Sequence, residues 1–275
     1  MRIDSHHHFW KYQREEYGWL DESMKAIRRD FLPAQLKSEI EAARIDGVVS
    51  VQVRQTVEET TWLLELAGAN PFIRGVVGWA PLLDRKVADV LEPLAGNPKL
   101  RSLRHIIQGE PDDNFILRGD FNVGITVLSH FNLAYDILIY ERHLPQTIRF
   151  VDLHPNQTFI LDHIAKPRIK DREISPWHEN ITELAKRGNV YCKLSGMVTE
   201  ADHQHWTPSD LDPYFDTAIE AFGSERLMFG SDWPVCLVAT SYSAWFNLVA
   251  KKIARLSSHE RARILGDTAL EAYGL

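Results

Sequence analysis

Three neighbouring histidines stand near the start of the chain, in the stretch M-R-I-D-S-H-H-H at residues 1–8. In an extended strand successive side chains point to opposite faces, so His6 and His8 share one face and His7 takes the other. Two imidazoles at this spacing converge just beyond the strand end, where they could hold a metal ion or polarise a carbonyl oxygen. A short H-x-H pattern also arises by chance, so the rest of the chain must decide between a site and a coincidence.

The length and composition are those of an ordinary globular protein. The 275 residues are 44% hydrophobic and 25% charged, and a chain of this length buries about three quarters of its unfolded surface. The net charge of −7 argues against a nucleic-acid partner, which would need a basic face. No apolar run is long enough to cross a bilayer, so we expect no membrane partner, and the amino terminus reads as a strand rather than a signal peptide.

Cysteine usage indicates a reducing compartment. Cys192 and Cys236 form neither a C-x-x-C pair nor a disulfide framework. Both lie in apolar or strand-like surroundings, which favours buried thiols. We therefore expect a cytoplasmic protein, and the sequence leaves its oligomeric state open, a homo-oligomer included.

Eight short apolar runs alternate with stretches of helical periodicity. This alternation predicts parallel strands joined by helical crossovers. The predicted strands cover residues 1–8, 47–54, 73–81, 100–107, 132–140, 158–165, 189–195 and 226–230. The predicted helices cover residues 31–46, 56–69, 85–94, 144–153, 177–187, 210–222, 243–256 and 258–265.

Eight strands alternating with helices in about 250 residues are typical of a (β/α)8 TIM barrel. The competing architecture, a doubly wound open sheet, usually carries a glycine-rich phosphate turn, and neither G-x-G-x-x-G nor G-x-x-x-x-G-K occurs here. No linker, repeat or low-complexity stretch divides the chain. We therefore predict an α/β protein with a single (β/α)8 barrel domain over residues 1–275.

Ionisable and polar side chains follow the predicted strands at their carboxyl ends, where barrels of this type carry out chemistry. Taken singly, each has an ordinary explanation: Asp232 could cap a turn, His163 could be a hydrogen-bonded core residue, and Lys193 could be a solvated charge. Taken together they favour a functional site, because burying several unpaired ionisable groups at one barrel mouth is costly. The set comprises His6, His8, Gln52, Arg54, Arg104, His105, Tyr140, Glu141, Asp162, His163, Lys166, Lys193, Ser195, Asp232 and Trp233.

Four longer motifs resemble those of the amidohydrolase superfamily. They are D-S-H-H-H-F-W at residues 4–10, F-I-L-D-H-I-A-K-P at 159–167, V-Y-C-K-L-S-G at 190–196 and M-F-G-S-D-W-P at 228–234. They are most similar to the sugar-lactonase branch, the L-fuconolactonase and L-rhamnonolactonase-like group. The resemblance runs from the first predicted strand to the eighth. It implies an enzyme that hydrolyses a sugar-acid lactone, such as L-fucono- or L-rhamnono-lactone.

The resemblance also implies roles for four residues. His6 and His8 match the H-x-H pattern of the first strand, His163 matches the histidine of strand six, and Asp232 matches the catalytic aspartate of strand eight. These four are the expected catalytic residues and also the expected metal ligands.

The chain departs from the superfamily's two-metal pattern. Arg104 and His105 stand where strand four would carry a bridging lysine or glutamate, and strand five ends in Tyr140 rather than histidine. One divalent ion such as Zn²⁺, or no metal at all, is therefore expected instead of a binuclear centre.

Opening a lactone requires a polarised carbonyl, an activated water and a stabilised oxyanion. Asp232 is the expected base, and His6 and His8 are expected to polarise the carbonyl directly or through one metal ion. His163 is expected to fix either the metal or the substrate. The expected substrate-binding residues are Gln52, Arg104, Tyr140, Lys166, Lys193 and Trp233.

Two other functions stay open on the sequence. A zinc-dependent decarboxylase of the same superfamily would share the histidines and the aspartate but would strictly require metal. A catalytically silent barrel could bind a sugar acid, although the full ionisable set argues against it. A serine hydrolase is disfavoured because no G-x-S-x-G elbow is present.

Overall fold

Eight parallel strands lie side by side in chain order in the computed structural model, which describes all residues from 1 to 275. Asp232 N donates a hydrogen bond to His6 O at 2.8 Å, and His8 N donates to Trp233 O at 2.7 Å. These bonds join the segment after the last strand to the first strand and close the barrel, so the predicted (β/α)8 fold is confirmed. The strands are β1 (Ile3–His7), β2 (Gly47–Val51), β3 (Ile73–Gly78), β4 (Leu100–His105), β5 (Ala134–Ile137), β6 (Phe159–Leu161), β7 (Val190–Leu194) and β8 (Leu227–Phe229).

Ten α-helices accompany the strands, and each predicted helix has a counterpart among them. None of them combines the length and the apolar character needed to cross a bilayer. They are α1 (Pro33–Ala43), α2 (Val57–Ala69), α3 (Val87–Ala95), α4 (Gly119–Leu128), α5 (Leu144–Leu153), α6 (Trp177–Leu184), α7 (Pro208–Arg226), α8 (Tyr242–Lys252), α9 (Ser258–Ala262) and α10 (Thr268–Tyr273).

The sequence prediction missed α4 and α10. The α4 segment G-D-F-N-V-G-I-T-V-L contains two glycines and three consecutive β-branched residues, all of which weaken helix propensity. Tertiary packing overrides this preference, because Phe121, Ile125 and Leu128 of α4 are fully buried.

The fifth and sixth strands are shorter than predicted. β5 ends at Ile137 rather than at residue 140, and β6 ends at Leu161 rather than at residue 165. The chain leaves the extended conformation after β6 because residues 163–166 all have positive φ. The residues that follow both strands therefore belong to loops at the carboxyl end of the barrel.

The C-terminal helix closes the opposite end of the barrel. Ala269, Ala272 and Tyr273 of α10 join a buried cluster with strand side chains such as Val49 and Ile160. A Cβ atom added to Gly75, near the start of β3, would meet the side chain of Leu275 at 2.9 Å. The amino-terminal ends of the strands are thus covered, and only the carboxyl ends remain open for a site. Both cysteines are buried free thiols, as the sequence predicted.

Candidate active site

The carboxyl ends of β1, β6 and β8 bring the four predicted catalytic residues together. His6 Nε2 lies 3.1 Å from His8 Nε2. Asp232 Oδ1 lies 3.4 Å from His8 Nε2 and 3.8 Å from His6 Nε2. The ring of His163 packs on that of His6, with 4.4 Å between the ring centroids. All four side chains are buried.

Burial and mutual contact set the charges of these groups. Burial, together with the positive charge of Lys193, holds the pKa of His6 well below its usual range, so the imidazole is neutral. Burial lowers the pKa of His163 to about 4. Burial alone would raise the pKa of Asp232, but the neighbouring His163 and His8 hold it below its usual value. Asp232 is therefore an ionised carboxylate among imidazoles, suited to accept a proton or to bind a cation.

The donor atoms of His6, His8 and Asp232 fit one metal ion. They form a triangle with edges of 3.1, 3.4 and 3.8 Å. A tetrahedral Zn²⁺ with ligands at about 2.0–2.2 Å spaces them by about 3.3–3.6 Å, so small adjustments would seat an ion. His8 Nδ1 lies 2.8 Å from Val51 O and donates to it, which leaves the Nε2 lone pair free for the ion. A second group, His6 with Asp162 and His163, shares His6 with the first.

Strained backbone delivers His163 and Asp232 to the site. The four consecutive residues from His163 to Lys166 have φ between 47° and 62°, and Asp232 has φ of 55°. This left-handed conformation costs a non-glycine residue about 1–2 kcal/mol. The indole of Trp177 donates to Ile164 O at 2.7 Å and braces the loop. Strain of this kind is characteristic of functional sites, where the surrounding structure holds it in place.

A network of buried charges lies beneath the histidines. Lys193 Nζ contacts Asp136 Oδ2 at 2.5 Å, Asp162 Oδ1 at 2.8 Å and His6 Nδ1 at 3.1 Å. Arg104 Nη1 binds Asp162 Oδ2 at 2.8 Å. The Lys193, Asp136 and Asp162 side chains are fully buried, and that of Arg104 is nearly so. Two cations therefore balance two carboxylates inside the barrel.

Three of the residues predicted to bind the substrate make buried contacts with other protein groups. Lys193 and Arg104 are committed to buried carboxylates, and the fully buried Gln52 donates from Nε2 to Arg104 O at 3.0 Å. Their role in substrate binding stays a prediction. The contact between Lys193 Nζ and His6 Nδ1 joins this group to the histidines above it.

Trp233, which was also predicted to bind the substrate, packs against aromatic side chains. Its side chain is buried and makes edge contacts with Phe31 and Phe9, with ring centroids 5.2 and 6.4 Å away. Trp233 therefore packs behind Asp232, in the core, and supports the turn that carries the carboxylate.

Comparison with known proteins identifies the family. A family model described as amidohydrolase matches residues 3–275. The chain belongs to the amidohydrolase family. The resemblance inferred from its motifs is thereby confirmed.

The relatives of this amidohydrolase include two named lactonases. The chain is 40% identical to an L-fucono-1,5-lactonase of Burkholderia multivorans, an alignment that covers 100% of this chain and 96% of the relative. It is 35% identical to an L-fucono-1,5-lactonase of Burkholderia ambifaria, and the alignment covers 99% of this chain and 95% of the relative. A crystal structure of a Burkholderia multivorans amidohydrolase with bound zinc has a TM-score of 0.96 and 40% identity, with 100% of this chain and 99% of that chain covered.

The accessible wall of the amidohydrolase site is formed by Lys166, Tyr140 and Glu200. Lys166 Nζ lies 5.5 Å from the ring centroid of Tyr140 and 3.7 Å from Glu200 Oε1. All three residues are only partly buried. Lys166 and Tyr140 were predicted as substrate-binding residues, and the structure places them where a substrate could reach them.

Three carboxylates of the site escaped the prediction as functional residues: Asp4, Asp136 and Glu200. Asp4 accepts hydrogen bonds from Ser231 N at 2.8 Å and Tyr242 Oη at 3.0 Å, and burial raises its pKa to about 6. For Asp4 and Asp136 the sequence did contain a signal, namely a charged residue inside a short strand, as in I-D-S of β1 and A-Y-D-I of β5. Glu200 gave no such signal, because it lies in a polar loop.

Proposed function

We propose that this amidohydrolase hydrolyses a sugar-acid lactone, with L-fucono-1,5-lactone as the first substrate to test. The observation that carries the proposal is an ionised, buried Asp232 within 3.4–3.8 Å of His8 and His6. Full-length identities of 40% and 35% to two L-fucono-1,5-lactonases support the choice of substrate class.

In this proposal Asp232 takes a proton from the attacking water, and the water oxygen adds to the lactone carbonyl carbon. His6 and His163 would donate hydrogen bonds to the carbonyl oxygen and to the oxyanion that develops there. His8 uses its Nδ1 proton for Val51 O and would take part through its Nε2 lone pair, as a ligand of a metal ion. The ring C–O bond then breaks, and the proton held by Asp232 passes to the leaving oxygen. The product is the open-chain hydroxy acid.

The same residues would hold one divalent ion, such as Zn²⁺, through His6 Nε2, His8 Nε2 and Asp232 Oδ1. When bound, the ion would act as a Lewis acid toward the carbonyl or the water. The bound zinc in the crystal structure of the Burkholderia multivorans relative supports a metal site in this protein.

Lys166, Glu200 and Tyr140 would bind the sugar. An ammonium and a carboxylate 3.7 Å apart offer a donor and an acceptor at the spacing of neighbouring hydroxyl groups. The aromatic face of Tyr140 would pack against the apolar side of the ring. Such a surface fits a polyhydroxylated lactone better than a long-chain one.

Proton release from a panel of aldonolactones and aldarolactones, followed with a pH indicator, tests the proposal. We expect turnover of L-fucono-1,5-lactone well above that in a matched sample of the Asp232→Asn variant. Robust turnover of an acyl-homoserine lactone with none on sugar lactones would overturn the proposed substrate class. Metal-dependent release of carbon dioxide from an aromatic acid, without lactone turnover, would instead support a decarboxylase.

A further inference from the structure

His6 Nδ1 has two polar neighbours that make opposite demands on the imidazole. Lys193 Nζ lies 3.1 Å away in hydrogen-bond geometry, and an ammonium can only donate. Asp162 Oδ1 lies 3.3 Å away, but no hydrogen bond of acceptable geometry reaches this oxygen. The contact with Lys193 therefore requires a lone pair on His6 Nδ1. A neutral imidazole with that lone pair carries its proton on Nε2.

The partner of His6 Nε2 accommodates this proton. His8 Nδ1 needs its own proton to donate to Val51 O at 2.8 Å, so a neutral His8 presents a lone pair at Nε2. His6 Nε2 lies 3.1 Å from that atom and can donate to it. The hydrogen-bond chain from Lys193 through His6 and His8 to Val51 thus has one donor and one acceptor at every step.

We infer that Lys193 is a positioning residue that holds His6 in its Nε2–H form in the metal-free protein. In that form His6 meets a substrate carbonyl as a hydrogen-bond donor, a catalytic consequence that rests on the proposed function. The assignment of the proton itself rests only on the contacts of His6 and His8.

Lys193 cannot swing away from His6, because its surroundings hold it. Its ammonium group is fixed between Asp136 and Asp162. Asp136 in turn accepts hydrogen bonds from Ser102 Oγ at 2.6 Å and from Tyr273 Oη at 2.7 Å. Tyr273 belongs to α10, so the helix that closes the far end of the barrel is connected to the catalytic histidine through three side chains.

The inference has a consequence for metal binding. A zinc ion on His6 Nε2 would need the lone pair there and would move the ring proton to Nδ1, against the Lys193 ammonium. Without Lys193, His6 Nδ1–H could donate to Asp162 Oδ1, an arrangement that strengthens a histidine as a metal ligand. Lys193 therefore favours a hydrogen-bonding His6 over a metal-binding one.

Nitrogen-15 NMR of the metal-free protein tests the assignment directly. The ring nitrogens of His6, assigned by their loss in the His6→Gln variant, should show a proton on Nε2 and none on Nδ1. A protonated Nδ1 in the wild-type protein would overturn the inference. The proton positions are read from the wild-type protein, and a variant is used only to assign the signals.

Zinc titration by calorimetry gives an independent readout. The double variant Lys193→Met/Asp136→Asn removes one buried cation and one buried anion, which keeps the core neutral. We expect it to bind zinc about tenfold more tightly than the wild-type protein, the lower end of the effect that a histidine's hydrogen-bond partner has on metal affinity. An affinity within about twofold of wild type would overturn the inference.

Tyr273→Phe is the matched control. It disturbs the same buried network but leaves the contact between Lys193 and His6 in place. We expect it to keep the Nε2–H form and to bind zinc within about twofold of wild type. An equal gain in zinc affinity in this control would overturn the inference, because general loosening of the core would then explain the effect. Absence of lactone turnover with the Nε2–H form intact would reject the proposed function and leave the inference standing.

Discussion

Gly196 lies directly against the imidazole ring of His163. A Cβ atom at Gly196 would stand 2.5 Å from His163 Nδ1 and 2.6 Å from Cγ, and the φ of Gly196 is +65°. The same ring nitrogen lies 2.8 Å from Ser195 Oγ, one residue earlier. The loop after β7 therefore fixes the position of His163 from one side, while the left-handed turn after β6 fixes it from the other.

Gly196→Ala should displace His163. We expect kcat/KM for the lactone to fall by about 10- to 100-fold, because a shift of about 1 Å in a catalytic group has an effect of this size. Gly188→Ala is the control, since a Cβ atom there meets nothing within 4 Å and φ is not positive. Equal kinetics in the two variants would show that the position of His163 does not matter for turnover.

Asp232→Asn keeps the shape of the side chain and removes the base. We expect kcat to fall by about 10²- to 10⁴-fold with KM nearly unchanged, the range typical of a general base. Circular dichroism and thermal unfolding should show a folded protein. If the folded variant kept more than about a tenth of the wild-type kcat, Asp232 would not be the base.

Lys166→Met should weaken substrate binding, because the lost ammonium lies on the accessible wall of the site beside Glu200 and Tyr140. We expect KM to rise by about tenfold, which corresponds to about 1.4 kcal/mol of binding free energy, with a smaller change in kcat. Lys170→Met, an exposed lysine four residues later, provides the control for charge alone. A similar rise in KM in both variants would remove Lys166 from substrate recognition.

The protein should hold no more than one divalent ion tightly. The two candidate ligand groups share His6, and Asp162 of the second group is already paired with Arg104 and Lys193. Elemental analysis after dialysis should therefore give at most one ion per chain. Two tightly held ions per chain would contradict the shared ligand set.

Acidification should destabilise the metal-free protein through His163. Its folded-state pKa of about 4 lies below the ordinary value of 6.5, so the unfolded chain binds more protons as the pH falls below 6.5. The contribution of the neutral imidazole to the free energy of unfolding is present above pH 6.5 and is progressively lost toward pH 4. Between pH 7 and pH 5 we expect His163 to account for about 2 kcal/mol of lost unfolding free energy.

Urea denaturation at several pH values, with His163→Asn as the comparison, measures this contribution. Asparagine does not titrate, so the free energy of unfolding of the variant should fall less steeply between pH 7 and pH 5. Parallel pH dependences in the two proteins would mean that His163 has an ordinary pKa in the folded state.

The barrel could be predicted from sequence because its strands are short apolar runs separated by periodic helices. The prediction failed where tertiary packing decides the local structure. The α4 sequence has poor helix propensity and becomes helical by burying Phe121, Ile125 and Leu128. The strand-like residues after β6 turn left-handed instead, which no local preference of Ile164 would indicate.

The members of the site could be predicted in part, because the carboxyl ends of the strands gather at one mouth. The depth to which each side chain is buried could not be predicted. Lys193 is the fourth of five residues of β7 and points into the barrel, whereas Lys166 lies in a loop and stays accessible. The sequence places both near a strand end, and only the closed barrel separates a buried lysine from an accessible one.

The left-handed turn from His163 to Lys166 has a consequence for attempts to make this protein more heat-resistant. Ile164 combines a φ of 47° with complete burial. Glycine there would relieve about 1–2 kcal/mol of backbone strain, but it would lose the larger packing energy of the isoleucine side chain and raise the entropy of the unfolded chain. The strain in this turn is therefore held in place by packing, and glycine would lower the unfolding temperature while it freed the segment that carries His163. Exposed helix positions far from the barrel mouth are the safer choice for thermostabilising substitutions.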